Sequence, residues 1–393
     1  MVPRTGPLSA SSALFRTSWY QRGKSSDCGV STGALPAMGG DATSAVGTLG
    51  AGPPRSRTSV RDVARRPAVQ RLVVGAALTA GAGAALGLGL RGLGRRVQNA
   101  SDSELDPLLA PATGVSHHHL TTDDGATIHV AEAGAGPPVV LLHGVTLQWS
   151  IWNPLFHLLA PQHRVVAWDM RGHGASTHGS RDLTLGAVAD DLALILGRLD
   201  IHDAVIVGHS MGGMALARFC TDHHRMLHHR CLGLVFLATS AAPVALSTVT
   251  GGGAGLIELV NRAVTAGMES PRWSYQWSDN ATSALLVRLS FGRHASGAAI
   301  EQVRAMLAEV DPRTTASAGR AIALHDVRDD LGHVDVPALV VVGSADLLTP
   351  PAHAKGVAAA IPGAQLHVLD GVGHQVMQEA PTRLATLITS VGT

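Results

Sequence analysis

The amino-acid sequence predicts an α/β chain: a mostly parallel, doubly wound sheet with a helical cap inserted late in it. Three observations predict this. Apolar runs of strand length alternate with helix-length patterns from about residue 116 onward. One of those runs, Val205 to Gly208, turns through His209-Ser210-Met211-Gly212-Gly213 directly into an alanine-rich helical pattern. The alternation then lapses between 242 and 325, where helical patterns stand alone.

Composition permits a large core. The chain has 393 residues, 46% hydrophobic and 15% charged, with a formal net charge of +1. A near-neutral chain without a basic stripe gives no sign of a nucleic-acid partner. The three cysteines, Cys28, Cys220 and Cys231, show neither a disulfide framework nor metal-type spacing. The histidines between Asp222 and Arg230, and the run His117-His118-His119, read as solvated or structural positions, so no metal and no cofactor are expected.

Residues 1–67 are rich in Gly, Ser, Ala, Pro and Arg without periodicity and read as a disordered tail, in which Met38 offers a second start. Residues 68–96 hold an uncharged stretch of 19 residues, Leu72 to Leu90, flanked by arginines. At ~1.5 Å rise per residue such a helix just reaches across a hydrocarbon core of about 30 Å. The segment 72–90 therefore reads as a membrane anchor, and the heavier basic flank upstream mildly favours an inside N-terminus. Without the anchor the chain is expected in the cytoplasm. Residues 97–115 form an acidic linker (Asp102, Glu104, Asp106).

The core is expected over 116–241 and 326–393. Asp123-Asp124-Gly125 between two alternating runs is a hairpin signature. Pro138 to Leu142 and Arg164 to Trp168 are continuous apolar runs, as in strands buried on both faces. Leu185 to Leu196 is an amphipathic helix pattern, and later strands follow at Leu232–Leu237, Pro337–Gly343 and Gln365–Leu369. Within the cap, helical patterns run from Leu256 to Ala266, Thr282 to Leu289 and Ala299 to Val310.

The chemistry starts at Ser210. A strand that turns into a helix within about two residues forces the central residue into a strained backbone, and glycines at 208 and 212 leave the room it needs. A serine hydroxyl is a poor nucleophile without a base, and the base needs an orienting group. Catalytic groups in such sheets sit at the carboxyl ends of strands. Asp346 is the only carboxylate in the loop Ser344 to Pro350, and His374 ends the loop Gly371-Val372-Gly373. The amide of Met211, at a helix start, and that of Val145, after His143-Gly144, are the expected oxyanion donors. Trp149 and His209 are candidate substrate contacts, with Trp273 and Trp277 as further pocket candidates. His143, Asp169, Arg171 and His173 read as loop-shaping residues.

With these motifs in view, the chain from about residue 115 onward resembles the α/β-hydrolase fold family. The resemblance is carried by His143-Gly144, the Asp169–Ser176 loop, Gly208–Gly213, Gly343–Pro350 and Gly371–His374. It is similar in particular to actinobacterial hydrolases with an apolar Ala/Gly-rich N-terminal segment. The resemblance implies a serine hydrolase, an esterase or lipase-like enzyme acting on a small-molecule ester with an apolar acyl group. A thioesterase, a cofactor-free perhydrolase and a carbon–carbon bond hydrolase use the same triad. A serine at 210 disfavours the relatives that use an aspartate nucleophile. From another class, a membrane-tethered binding protein on the same scaffold stays open.

Overall fold

The structure, a computed structural model, describes residue 89 and residues 92–244, 281–293 and 295–392. The tail 1–67, all of the apolar segment 72–90 except Gly89, the helical pattern 256–266, Trp273 and Trp277 lie outside the described residues. Among the described residues no helix is long and apolar enough to cross a membrane.

A short helix covers 92–98, and α1 (Asp106–Leu109) follows. These fall in the stretch expected as a linker, yet Leu105 and Leu109 are buried. They join a core cluster with Trp152, Leu155 and Phe156. Its acidic residues serve local turns: the Asp102 carboxylate accepts the amides of Glu104 and Leu105 at 3.0 Å each. Leu105, between Glu104 and Asp106, and Leu109 beyond them pack this stretch on the core, together with Val97, Ala112 and Val115.

The sheet then builds in order. The hairpin β1 (Ser116–Thr121) and β2 (Thr127–Ala133) is followed by β3 (Pro138–Leu142), a 3₁₀ turn (Trp149–Trp152), α2 (Asn153–Leu159) and β4 (Arg164–Trp168). Next come α3 (Leu185–Arg198), β5 (Ala204–His209), α4 (Met211–Asp222), α5 (His224–Arg230) and β6 (Cys231–Leu237). After the gap stand α6 (Ala281–Arg288), α7 (Gly297–Glu309) and α8 (Pro312–Ala323). The chain closes with β7 (Ala338–Gly343), α9 (Pro351–Ala360), β8 (Gln365–Leu369), α10 (Val376–Glu379) and α11 (Pro381–Thr389).

The eight strands lie in the order β1-β2-β4-β3-β5-β6-β7-β8. β2 pairs antiparallel with β1 and β4, and every pair from β4 to β8 is parallel. Strand alternation divides the core into two layers. Val140, Leu142 and Ile206 face one cluster, with residues of α3, α4 and α9. Val139, Leu141, Val205 and Val207 face the other, with residues of α2, α7 and α11. This is why the central strands read as unbroken apolar runs: both faces are covered. The parallel strands all present their carboxyl ends at one edge, and the loops carrying residues 143–146, 210, 346 and 374 emerge there.

Candidate active site

Ser210 joins β5 to α4 at φ 52°, ψ −118°. A positive φ is sterically unfavourable for a side-chain-bearing residue, so the turn is strained and persists because its surroundings fix it. The glycines show how. A Cβ on Gly208 would stand 2.6 Å from the Gly212 carbonyl, and one on Gly212 would stand 2.5 Å from the carbonyls of Leu142 and His143. The helix thus lies directly on β3 and β5. From below, the Ser210 amide donates to the Leu237 carbonyl, and the Thr239 hydroxyl donates to the Ser210 carbonyl at 2.7 Å.

His374 and Asp346 form a buried pair. His374 Nδ1 lies 2.9 Å from Asp346 Oδ2, and the two residues are 4% and 2% exposed. The other carboxylate oxygen accepts the amides of Leu348 and Thr349 at 2.8 and 2.9 Å. Thr349 Oγ1 lies 2.9 Å from Oδ2 and 2.8 Å from the Ala238 carbonyl. The acid is therefore fixed from both oxygens before it meets the imidazole. With Nδ1 turned to a carboxylate, His374 keeps Nε2 for another partner.

His209 ties this pair to the elbow. Its Nε2 donates to the His374 carbonyl at 3.0 Å, and the two rings lie 4.8 Å apart. Burial and the neighbouring His374 hold its pKa well below the ordinary histidine value. His209 is fully buried, and its Nδ1 faces Gly144, where a Cβ would come within 2.9 Å. The substrate contact expected of His209 thus gives way to a supporting position, because no part of its ring is open to a ligand. The structure brings residues 144, 209, 210, 346 and 374 together; among the described residues no hydrogen bond joins Ser210 Oγ to His374.

The two expected oxyanion amides are both uncommitted: among the described residues neither Val145 nor Met211 donates its N–H to a protein acceptor. Met211 opens α4, where the first amides have no partner within the helix. The loop holding Val145 is shaped by two histidines. The Met170 amide donates to His143 Nε2 at 2.9 Å, so the His143 proton sits on Nδ1 and reaches the Gly144 carbonyl at 2.7 Å. The Thr146 amide donates to His173 Nε2 at 3.2 Å. Burial lowers both histidines, His173 to about 3, so both stay neutral and both accept from the backbone. Thr146 itself has φ 63°, a second strained position beside the site.

Asp169 and Arg171 hold the neighbouring loop. Asp169 accepts from the amides of Trp149 and Ala175 at 2.8 and 3.0 Å and faces His129 Nδ1 at 2.8 Å. Burial raises its pKa, but these hydrogen bonds and the nearby His143 outweigh it and keep the carboxyl below its usual value. Arg171 is fully buried against Asp191, with contacts of 2.8 and 2.7 Å, and reaches Asp124 at 3.1 Å.

Trp149 opens the 3₁₀ turn and is half-buried. Its ring packs on His117, His129 and Phe156. Trp152, fully buried, is the tryptophan against the site, 6.4 Å from His209 edge to face. Sequence reasoning also passed over Thr349 and Thr239; the only signal for them was their place in loops already singled out. Among the described residues no group of three or more His, Cys, Asp or Glu is placed to hold a metal ion. A cavity of about 540 Å³ lies beside Arg218, Asp222 and His333, at the opposite end of α4 from Ser210.

A family model for the alpha/beta hydrolase fold matches residues 137–381. A non-heme chloroperoxidase of Kitasatospora aureofaciens is 31% identical, over 65% of this chain and 91% of the relative. A thermophilic esterase from Thermogutta terrifontis superposes with a TM-score of 0.55 at 26% identity, over 70% of this chain and 97% of its own. An esterase from Exiguobacterium antarcticum superposes with a TM-score of 0.60 at 20% identity, over 70% and 98%. This last likeness speaks to the fold alone.

Proposed function

Because the chain belongs to the alpha/beta hydrolase family, we propose that it is a serine hydrolase that cleaves esters through Ser210, His374 and Asp346. One observation carries the reading: a strained serine at φ 52° lies beside a buried His374–Asp346 pair, joined to it through His209. Ser210 Oγ attacks the ester carbonyl carbon while His374 Nε2 takes its proton. Asp346 keeps the second proton on Nδ1 and stabilises the imidazolium that forms. The amides of Met211 and Val145 receive the oxyanion. His374 then gives its proton to the leaving alkoxide. Water attacks the acyl-enzyme by the same route in reverse and frees the carboxylic acid and Ser210.

The acyl group is proposed to be apolar, with the half-buried Trp149 on the oxyanion-loop side of the pocket. Hydrolysis of p-nitrophenyl esters of increasing chain length tests the reading. It predicts a burst of one p-nitrophenol per protein followed by a slower steady state. Wild-type hydrolysis no faster than the spontaneous rate, and unchanged in Ser210→Ala, would leave a non-catalytic binding role as the better account.

A second reading is favoured by the chloroperoxidase relative: hydrogen peroxide replaces water as the acyl acceptor, giving a peracid that oxidises halide to hypohalous acid and returns the carboxylic acid. Halogenation that needs both a carboxylic acid and peroxide, and is lost in Ser210→Ala, would establish it. The apolar segment 72–90 is proposed as a membrane anchor; release of full-length protein by carbonate extraction would exclude that.

A further inference from the structure

Two chain segments meet behind His374. The His374 amide donates to the Ser290 carbonyl at 2.8 Å, and the Arg293 amide donates to the Gly371 carbonyl at 2.7 Å. The segments lie backbone to backbone: a Cβ on Gly373 would stand 2.3 Å from the Gly292 nitrogen, and one on Gly292 would stand 2.0 Å from the Gly371 carbonyl. This contact leaves two amides, on Gly373 and Gly292, pointing the same way. Both end on one side chain. The Gly373 amide donates to Glu379 Oε1 at 3.0 Å, and the Gly292 amide donates to Glu379 Oε2 at 2.6 Å.

We infer that Glu379 is a positioning residue for His374: its carboxylate fastens the His374 loop to the turn at 290–293, so that the imidazole is held where Ser210 can use it. The inference rests on the reading of His374 as the general base. A carboxylate is the side chain this junction requires. Two N–H groups from separate segments need two acceptor oxygens on one rigid plane. Glutamine would offer one oxygen and turn its NH₂ against the other N–H. Aspartate is one methylene short of spanning both.

The charged groups facing Glu379 are Arg288 at the end of α6, which favours the carboxylate, and Asp346 in the acid loop, which opposes it. Arg288 also holds the same turn, donating to the carbonyls of Phe291 and Arg293 at 3.0 and 3.3 Å. Burial dominates and raises the Glu379 carboxyl to about 7. The bridge is therefore complete above that pH, and below it a proton occupies one of the oxygens that should accept. Stability runs the other way. A carboxyl whose folded pKa is raised contributes full stability below its unfolded value, and that contribution is lost as pH rises through about 7. An ionised Glu379 thus serves geometry at a cost in stability, which separates a positioning role from a merely structural one.

The test uses the full chain, with p-nitrophenyl acetate as probe, between pH 5 and 9. In the wild type, log kcat/KM should bend downward below about pH 7, where Glu379 takes up a proton. In Glu379→Gln that bend should be absent. Its kcat at pH 8 should fall roughly 10- to 100-fold, as expected for a catalytic group displaced by about 1 Å, with KM changed less than about threefold. Its melting temperature at pH 8 should not drop below that of the wild type. A variant with wild-type kcat and a wild-type acid limb, or one that merely melts lower with the pH profile unmoved, would overturn the inference. Should Glu379→Gln not fold, a wild-type profile without a bend near pH 7 overturns it alone. A wild type that neither turns over ester nor takes up a fluorophosphonate would instead overturn the hydrolase reading, and this inference with it.

Discussion

The two halves of the site are built by different means. The Ser210 half, with the loop from His143 to Thr146, is held by the residues of its own motifs. Glycines 208 and 212 admit the turn, and neutral His143 and His173 accept amides of adjoining loops. The half with Asp346 and His374 is held from far away. Asp346 leans on Thr349, Thr349 on Ala238, and the His374 loop on the turn at 290–293 through Glu379. Ser210 is thus placed by backbone packed on the ends of β3 and β6, and His374 by the carboxylates of Asp346 and Glu379 that bridge separate loops. A strained turn is held by what its glycines let the backbone touch, whereas the loop carrying the imidazole is held by side chains that reach it.

This contrast can be broken or sharpened by substitution. The largest effect is expected from Ser210→Ala, which should lower kcat about 10⁶-fold on p-nitrophenyl esters while circular dichroism stays unchanged. Asp346→Asn should come next, at about 10⁴-fold in kcat, with KM nearly kept, as measured by steady-state kinetics. Third is acid sensitivity in the first half. His173 has a folded pKa of about 3 against an ordinary 6.5. The unfolded chain therefore binds a proton that the folded one refuses. The stability this neutral histidine contributes is full above pH 6.5 and is lost as pH falls toward 3, on the order of 5 kcal/mol for such a shift. Chemical denaturation at pH 7.5 and 4.5 should show a smaller loss in His173→Gln. Fourth, Arg171→Ala leaves Asp191 buried and unpaired and should cost about 3–5 kcal/mol by denaturant titration, with activity per folded molecule much less affected. The smallest is Gly144→Ala: its Cβ would stand 2.9 Å from His209 Nδ1 and 3.1 Å from Ser210 Cβ. It should slow kcat about tenfold, within what a small displacement can cause, and leave the melting temperature almost unmoved.

The same contrast explains what the amino-acid sequence disclosed. The sheet was legible because its central strands are buried on both faces and read as continuous apolar runs, Val139 to Leu142 and Val205 to Val207 among them. The elbow was legible because its glycines flank the serine closely in the chain, and Gly208 makes room for Gly212 and Gly213 just beyond it. The order of Ser210, Asp346 and His374 followed from strand ends. What stayed hidden was non-local. Nothing in Glu379 marks it as the partner of an amide 87 positions upstream. Nearness in sequence to the oxyanion loop singles out Trp149 among the tryptophans; the 3₁₀ turn points its ring toward His117 and sets Trp152 against His209. Leu105 and Leu109 were masked by the acids near them, although both are buried and, with Val97, Ala112 and Val115, pack on the core.

The central claim is that Ser210 is an activated nucleophile. Incubating the folded full-length protein with a fluorophosphonate and mapping the adduct by mass spectrometry tests it most directly. The expected result is one adduct per chain, on the peptide containing Ser210, abolished in Ser210→Ala and strongly slowed in His374→Ala. A folded wild type that stays unlabelled, or that carries the adduct on another residue while hydrolysing ester, would contradict it.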